Sequence, residues 1–228
     1  MESLILLFHW IYSFFIFAGA LYFYIQSRNP KGVPMYEYFI AIAIPVWSGI
    51  AYLSIAFGQG FLELQDQTVY FARYLDWIVT TPLLLIALAL TAMFRSSKNL
   101  TLILTLVIAD VIMILTGLIA DFSDGINTYL WYFIGMVCLF VILYVIWYPL
   151  RRIAQQKSEA LSKHYRNTAL YLTLFWFCYP TVWLLGPSGL GITNEVFDVA
   201  SFIILPIFSK VGFSILDLYG LRKIGVRI

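Results

Sequence analysis

Apolar residues run along this chain in long blocks, and the polar residues gather between them. The blocks span Leu4 to Ile25, Tyr36 to Phe57, Tyr70 to Phe94, Leu100 to Ala120, Thr128 to Leu150, Thr168 to Gly186 and Val196 to Gly220. A helix rising about 1.5 Å per residue crosses a hydrocarbon core of about 30 Å in about 20 residues, so each block is long enough to span a bilayer. The pattern predicts an all-α membrane protein, a seven-transmembrane-helix bundle in which residues 1–228 form a single domain. The connections are short, with no low-complexity stretch or linker. A multi-pass protein of the cell membrane, with the lipid bilayer as its surroundings, is the expectation.

Composition agrees. Of 228 residues, 62% are hydrophobic and 11% charged, where a soluble domain carries about 25% charged residues. Charge placement sets an orientation. Arg28 and Lys31, Arg95 and Lys98, Arg151, Arg152, Lys157, Lys163 and Arg166, and Arg222, Lys223 and Arg227 all fall at one end of the spans. The opposite connections carry acids: Glu63 and Asp66, Asp121 and Asp124, Glu195 and Asp198. By the positive-inside rule the basic end is cytoplasmic, the N-terminus is outside and the C-terminus is inside. The first span follows Glu2 and no basic segment, so it is not expected to be a cleaved signal. No nucleic-acid partner and no enzymatic activity are expected. No metal site is expected either, since neither His9 nor His164 has a His or Cys at ligand spacing. His9 is expected at a membrane interface and His164 in a loop, and Cys138 and Cys178 are expected to serve as small apolar residues.

Five ionisable residues remain inside the spans: Arg73, Asp76, Asp110, Lys210 and Asp217. Such residues are costly in a bilayer and point to function. Lys210, in "LPIFSKVGF", lies about 12 residues or 18 Å of helix from the next basic cluster, too deep to reach water by stretching its side chain. On the third span, "RYLDWIVTTPLLL", helical spacing puts Arg73, Asp76, Trp77 and Thr80 on neighbouring parts of one face, with Thr80 one turn from Asp76. A lysine amine can condense with an aldehyde to a Schiff base, whose positive form needs a carboxylate beside it; Asp76 is the candidate.

The segments "RYLDWIVTTP" (Arg73 to Pro82), "WFCYPTVW" (Trp176 to Trp183) and "SKVGF" (Ser209 to Phe213) resemble the third, sixth and seventh helices of microbial (type I) rhodopsins. The resemblance implies all-trans retinal bound covalently to Lys210 as a Schiff base, with Asp76 as counterion and Tyr52 near it. It implies a retinal pocket of Trp77, Thr81, Met113, Gly117, Tyr132, Trp176, Tyr179, Pro180, Trp183 and Ser209. Asp110 matches an acid near the ring end of retinal, and a structural role is preferred for it over one in the proton path.

Two departures bear on function. Most outward proton pumps of that family carry a second carboxylate one turn before the lysine, where this chain has Pro206. They carry a carboxyl proton donor on the third helix, where this chain has Ala87. Asp217 lies seven residues, about 10.5 Å, beyond Lys210 toward the cytoplasm. Pro206 with Asp217, "RNPKGVP", "GPSG" and "FSKVGFSILDLYGLR" resemble the xenorhodopsin group, which includes the cyanobacterial sensory rhodopsin and light-driven inward proton pumps. The resemblance implies an inward proton pump in which Asp217 accepts or relays the proton and the base is recharged from outside past Asp76 and Arg73. Several alternatives stay open. Asp217 could be a helix-end carboxylate paired with Arg222 or Lys223. Asp198 could assist uptake, although a solvated loop acid is preferred, and Glu37 could sit at the cytoplasmic exit. The chain could instead be a photosensor that contacts a soluble transducer through Gln155, Lys157 and Glu159. A homotrimer is expected, as in relatives.

Overall fold

The structure, a computed structural model, describes residues 2–64 and 68–226; Asp66 and Arg227 lie outside the described residues. Seven long apolar helices cover Glu2–Ser27, Met35–Ala56, Phe71–Ala92, Leu100–Asp121, Ile126–Gln155, Glu159–Leu185 and Glu195–Gly225. They are called the first to the seventh in chain order. Their starts follow local chemistry. The side chains of Asn99, Ser158 and Asn194 cap the fourth, sixth and seventh helices by accepting the backbone N–H of Leu102, Leu161 and Phe197 at 3.2, 3.2 and 2.9 Å, each satisfying a donor that the first turn leaves free. Pro34 precedes the second helix, where a missing N–H costs nothing. Between the second and third helices a two-residue antiparallel ladder pairs Leu62 with Val69 and Glu63 with Thr68.

The sixth helix begins nine residues before the apolar block that announced it, at Glu159 rather than Thr168. Lys163 and Arg166 therefore ride on a helix and not in a loop, and so does His164. Hydropathy marks where a helix enters the hydrocarbon, whereas the Ser158 cap and Glu159 in the first turn mark where the helix starts.

Two helices widen locally into π-turns, at Ile146–Leu150 in the fifth and Ile207–Gly212 in the seventh. Pro149 lies within the first stretch and Pro206 directly before the second; proline donates no N–H and disturbs the ladder behind it. Tyrosines from other helices take up the carbonyls. Tyr165 donates to Ile146 O at 2.7 Å, Tyr171 to Phe208 O at 3.0 Å, and Tyr52 to Phe202 O at 2.9 Å. Phe202 is the residue whose carbonyl Pro206, four positions on, is unable to engage.

The third helix has the largest buried share of the seven. Large apolar side chains such as Phe14, Phe39, Phe133, Tyr148 and Leu174 stand exposed around the outside, as expected where the solvent is lipid rather than water. The chain is a multi-pass membrane protein.

Candidate functional site

Lys210 sits within the widened turn of the seventh helix, and Asp76 lies two turns into the third. Their side chains are 1% and 0% exposed, and the Lys210 amine donates to Asp76 Oδ2. It also donates to Ser48 Oγ at 2.9 Å, and Ser48 shares a 2.5 Å hydrogen bond with the Tyr12 hydroxyl. Thr80, as the spacing predicted, donates to Asp76 Oδ1 at 3.1 Å and to the Asp76 carbonyl at 2.9 Å. A buried ion pair is tolerable only when such extra bonds complete it. Tyr52, expected near the carboxylate, packs on Tyr12 at 4.0 Å, and its hydroxyl serves Phe202. The hydroxyl that meets the lysine belongs to Ser48, one turn earlier.

Toward the acidic end, Arg73 is also buried. Its Nη1 pairs with Asp198 Oδ2 at 2.9 Å, and its guanidinium lies 4.2 Å from the Tyr70 ring centre and 5.0 Å from that of Phe202. Asp198 is thus not a solvated loop acid. It occupies the first turn of the seventh helix, turned inward onto the arginine. Tyr70, just outside the third helix, donates to Glu195 Oε1 at 2.9 Å; burial raises its pKa, and the bond to Glu195 raises it further. His9 is fully buried and faces into the bundle, its Nδ1 2.7 Å from Ile5 O and its ring 5.8 Å from those of Tyr52 and Tyr70.

A cavity opens beside Lys210. Trp77, Thr81, Met113, Gly117, Tyr132, Trp176, Tyr179, Pro180, Trp183 and Ser209 all line it. Tyr132 and Trp183 stack nearly parallel, 12° apart at 5.2 Å, while Trp77 meets Tyr179 edge-on at 5.7 Å. The Tyr179 and Ser209 hydroxyls bond to each other at 2.8 Å. Glycine permits close packing around it: a Cβ on Gly117 would come within 3.3 Å of Tyr74, and one on Gly135 within 3.0 Å of Thr116 Oγ1. Thr81 donates to Asp110 Oδ2 at 2.7 Å, tying the third and fourth helices beside the cavity.

Sequence reasoning missed Tyr74, Ile114, Gly135 and Phe202 in the lining, since no pattern separates these apolar positions from ordinary packing. It also put Asp121 in a loop. Asp121 ends the fourth helix, buried, where its Oδ2 accepts from the Tyr74 hydroxyl at 2.6 Å and its Oδ1 from Trp183 Nε1 at 3.0 Å.

On the basic side, Asp217 is buried and its Oδ1 accepts from Thr91 at 2.8 Å. The same oxygen lies 3.2 Å from His164 Nε2. The pairing with Arg222 or Lys223 is overturned: Arg222 Nη1 donates to the Tyr38 hydroxyl at 2.8 Å and to Gln26 O at 3.1 Å, and Lys223 lies over the Tyr219 ring at 4.1 Å. Glu37 is buried in the first turn of the second helix. Ile44, Leu84, Leu85, Ala87, Leu88, Leu172, Trp176 and Phe213 pack into one apolar core. On the third helix this core occupies the stretch between Asp76 and Thr91, and on the seventh Phe213 falls between Lys210 and Asp217.

A lysine held by a carboxylate lines an aromatic cavity inside seven membrane-spanning helices, a site with room for an apolar molecule beside an amine. The profile of Bacteriorhodopsin-like protein matches residues 3–224, and the chain belongs to that family. Thermophilic rhodopsin from Rubrobacter xylanophilus superposes with a TM-score of 0.92 at 35% identity, over 99% of this chain and 98% of that one. Archaerhodopsin-1 from Halorubrum ezzemoulense is 33% identical over 201 residues, 86% of this chain and 76% of its own. Sensory rhodopsin-2 from Natronomonas pharaonis is 29% identical over 209 residues, 92% of this chain and 86% of its own.

Proposed function

We propose that this protein is a light-driven inward proton pump of the xenorhodopsin group, moving protons from the extracellular side to the cytoplasm. The family comprises microbial rhodopsins, retinal proteins that act as light-driven pumps or as light sensors. The cavity suits all-trans retinal. Its lining is almost entirely apolar and aromatic, as ligand pockets commonly are, and Lys210 adds to it an amine able to form the Schiff base. Bound at Lys210, retinal supplies a light-driven change of shape that alters which side of the membrane the Lys210 nitrogen faces.

The chain's own residues give that change a direction. Asp76, held by Thr80, balances the charge on Lys210 Nζ. Arg73 is committed to Asp198 and keeps a positive charge on the acidic side. Pro206 withholds a second carboxylate from the seventh helix, and Ala87 withholds one from the basic half of the third. The apolar core keeps water from joining the two halves. The observation that carries the proposal is Asp217: a buried carboxylate beyond that core, with hydrogen-bonding partners ready on two other helices. It accepts the proton released from Nζ, and Nζ is recharged past Arg73 and Asp76. With the basic end cytoplasmic, net movement is inward.

The test uses cells expressing the protein with all-trans retinal, with external pH recorded under illumination. Alkalinisation abolished by a protonophore is expected, and Asp217→Asn should lower its initial rate roughly 10-fold or more. Acidification would overturn the direction. A second reading, a photosensor acting on a soluble partner, draws on the likeness to sensory rhodopsin-2; a coloured protein with no pH change would favour it.

A further inference from the structure

We infer that His164 is the outlet of this path: its imidazole takes the proton from Asp217 and hands it to water at the basic end. The inference rests on the inward reading above and names the group that follows Asp217. The Asp217 side chain is 4% exposed, so a proton on it has no direct way out. Its two bonded neighbours differ in kind. Thr91 can donate a hydrogen bond but does not titrate near neutral pH, whereas imidazole accepts a proton at one nitrogen and releases one from the other. The His164 ring is the more exposed partner, at 10%, on a helix segment where Lys163 and Arg166 are exposed.

Two basic groups at this end are bonded elsewhere. Arg222 is bonded to Tyr38 and Gln26, and Lys98 Nζ donates to Met93 O at 2.6 Å. Glu37 is as buried as Asp217, so a proton passed there would gain no access to water. The seventh helix also makes room for the ring. Gly220 comes one turn after Asp217, and a Cβ built on it would collide with the His164 imidazole. The proton enters at Nε2 and leaves from Nδ1, and exchange with water resets the tautomer.

The test follows the intact, retinal-loaded protein after a flash, reading the infrared carboxylic band of Asp217, assigned by its loss in Asp217→Asn, together with a pH dye in the medium. His164→Gln keeps a hydrogen-bonding side chain that does not titrate, and His164→Ala can be supplied with free imidazole. The Asp217 band should rise at an unchanged rate in both variants. Its decay and the dye signal should slow together by roughly 10-fold or more, and imidazole should restore them in His164→Ala. Unchanged decay in both variants would overturn the outlet alone. Loss of the rise with pigment colour retained would make His164 a positioning residue for Asp217 and also overturn it. No Asp217 band in the unaltered protein would sink the inward reading itself, and the outlet with it.

Discussion

At the scale of the residue, the ion pair between Lys210 and Asp76 makes the most direct demands. Removing one partner leaves the other charged and buried, and breaking such a pair costs about 3–5 kcal/mol. Lys210→Ala should therefore abolish the visible pigment and also lower thermal stability, measured without retinal. Lys210→Ala combined with Asp76→Asn should recover part of that stability while remaining colourless. These two residues were legible in the sequence because a lone charge deep in an apolar run has few explanations. Asp121, Asp198, His9 and His164 were not. Each lies near the edge of an apolar block, where a solvated residue looks the same in one dimension, and its burial depends on a partner more than 40 positions away: Asp121 meets Tyr74, Asp198 meets Arg73, His9 packs against Tyr52 and Tyr70, and His164 meets Asp217.

At the scale of the element, proline gives the seventh helix its local form. Pro206 leaves the Phe202 carbonyl without its helical donor, and Tyr52 supplies one from the second helix. Tyr52→Phe removes that donor from a fully buried site. The variant should unfold more easily by about 1 kcal/mol, as read by unfolding in a graded detergent mixture, with pigment colour retained. Regular α-helical rise puts Asp217 about 10.5 Å beyond Lys210. The π-turn at Ile207–Gly212 intervenes. Fifteen residues separate Asp76 from Thr91 on the third helix, about 22 Å of rise, but only seven separate Lys210 from Asp217. The lysine side chain, which leans toward the start of its helix, takes up part of that difference.

At the scale of the whole molecule, one helix organises the rest. The third helix meets Lys210 through Asp76, Asp217 through Thr91, Asp198 through Arg73 and Asp110 through Thr81. Direction of transport belongs to this scale, because it joins the position of Asp217 to the orientation of the bundle. Single cysteines placed at Lys157 and Asp124 should react with a membrane-impermeant thiol reagent from opposite sides, with Asp124 labelled in intact cells and Lys157 only after lysis. The reverse pattern would invert the bundle and turn the same proton path into an outward one.

The sequence by itself determined that seven helices cross a membrane, which end is basic, and that a lysine, a counter-carboxylate and an aromatic set lie in those spans. Those properties depend on hydropathy and helical period, which are local. The tertiary structure alone decided which groups meet: Ser48 and Tyr12 at the lysine, Asp198 on Arg73, Asp121 between Tyr74 and Trp183, and His164 on Asp217. A buried polar group must find its partner in three dimensions, and helices far apart in the chain supply it only after they have packed.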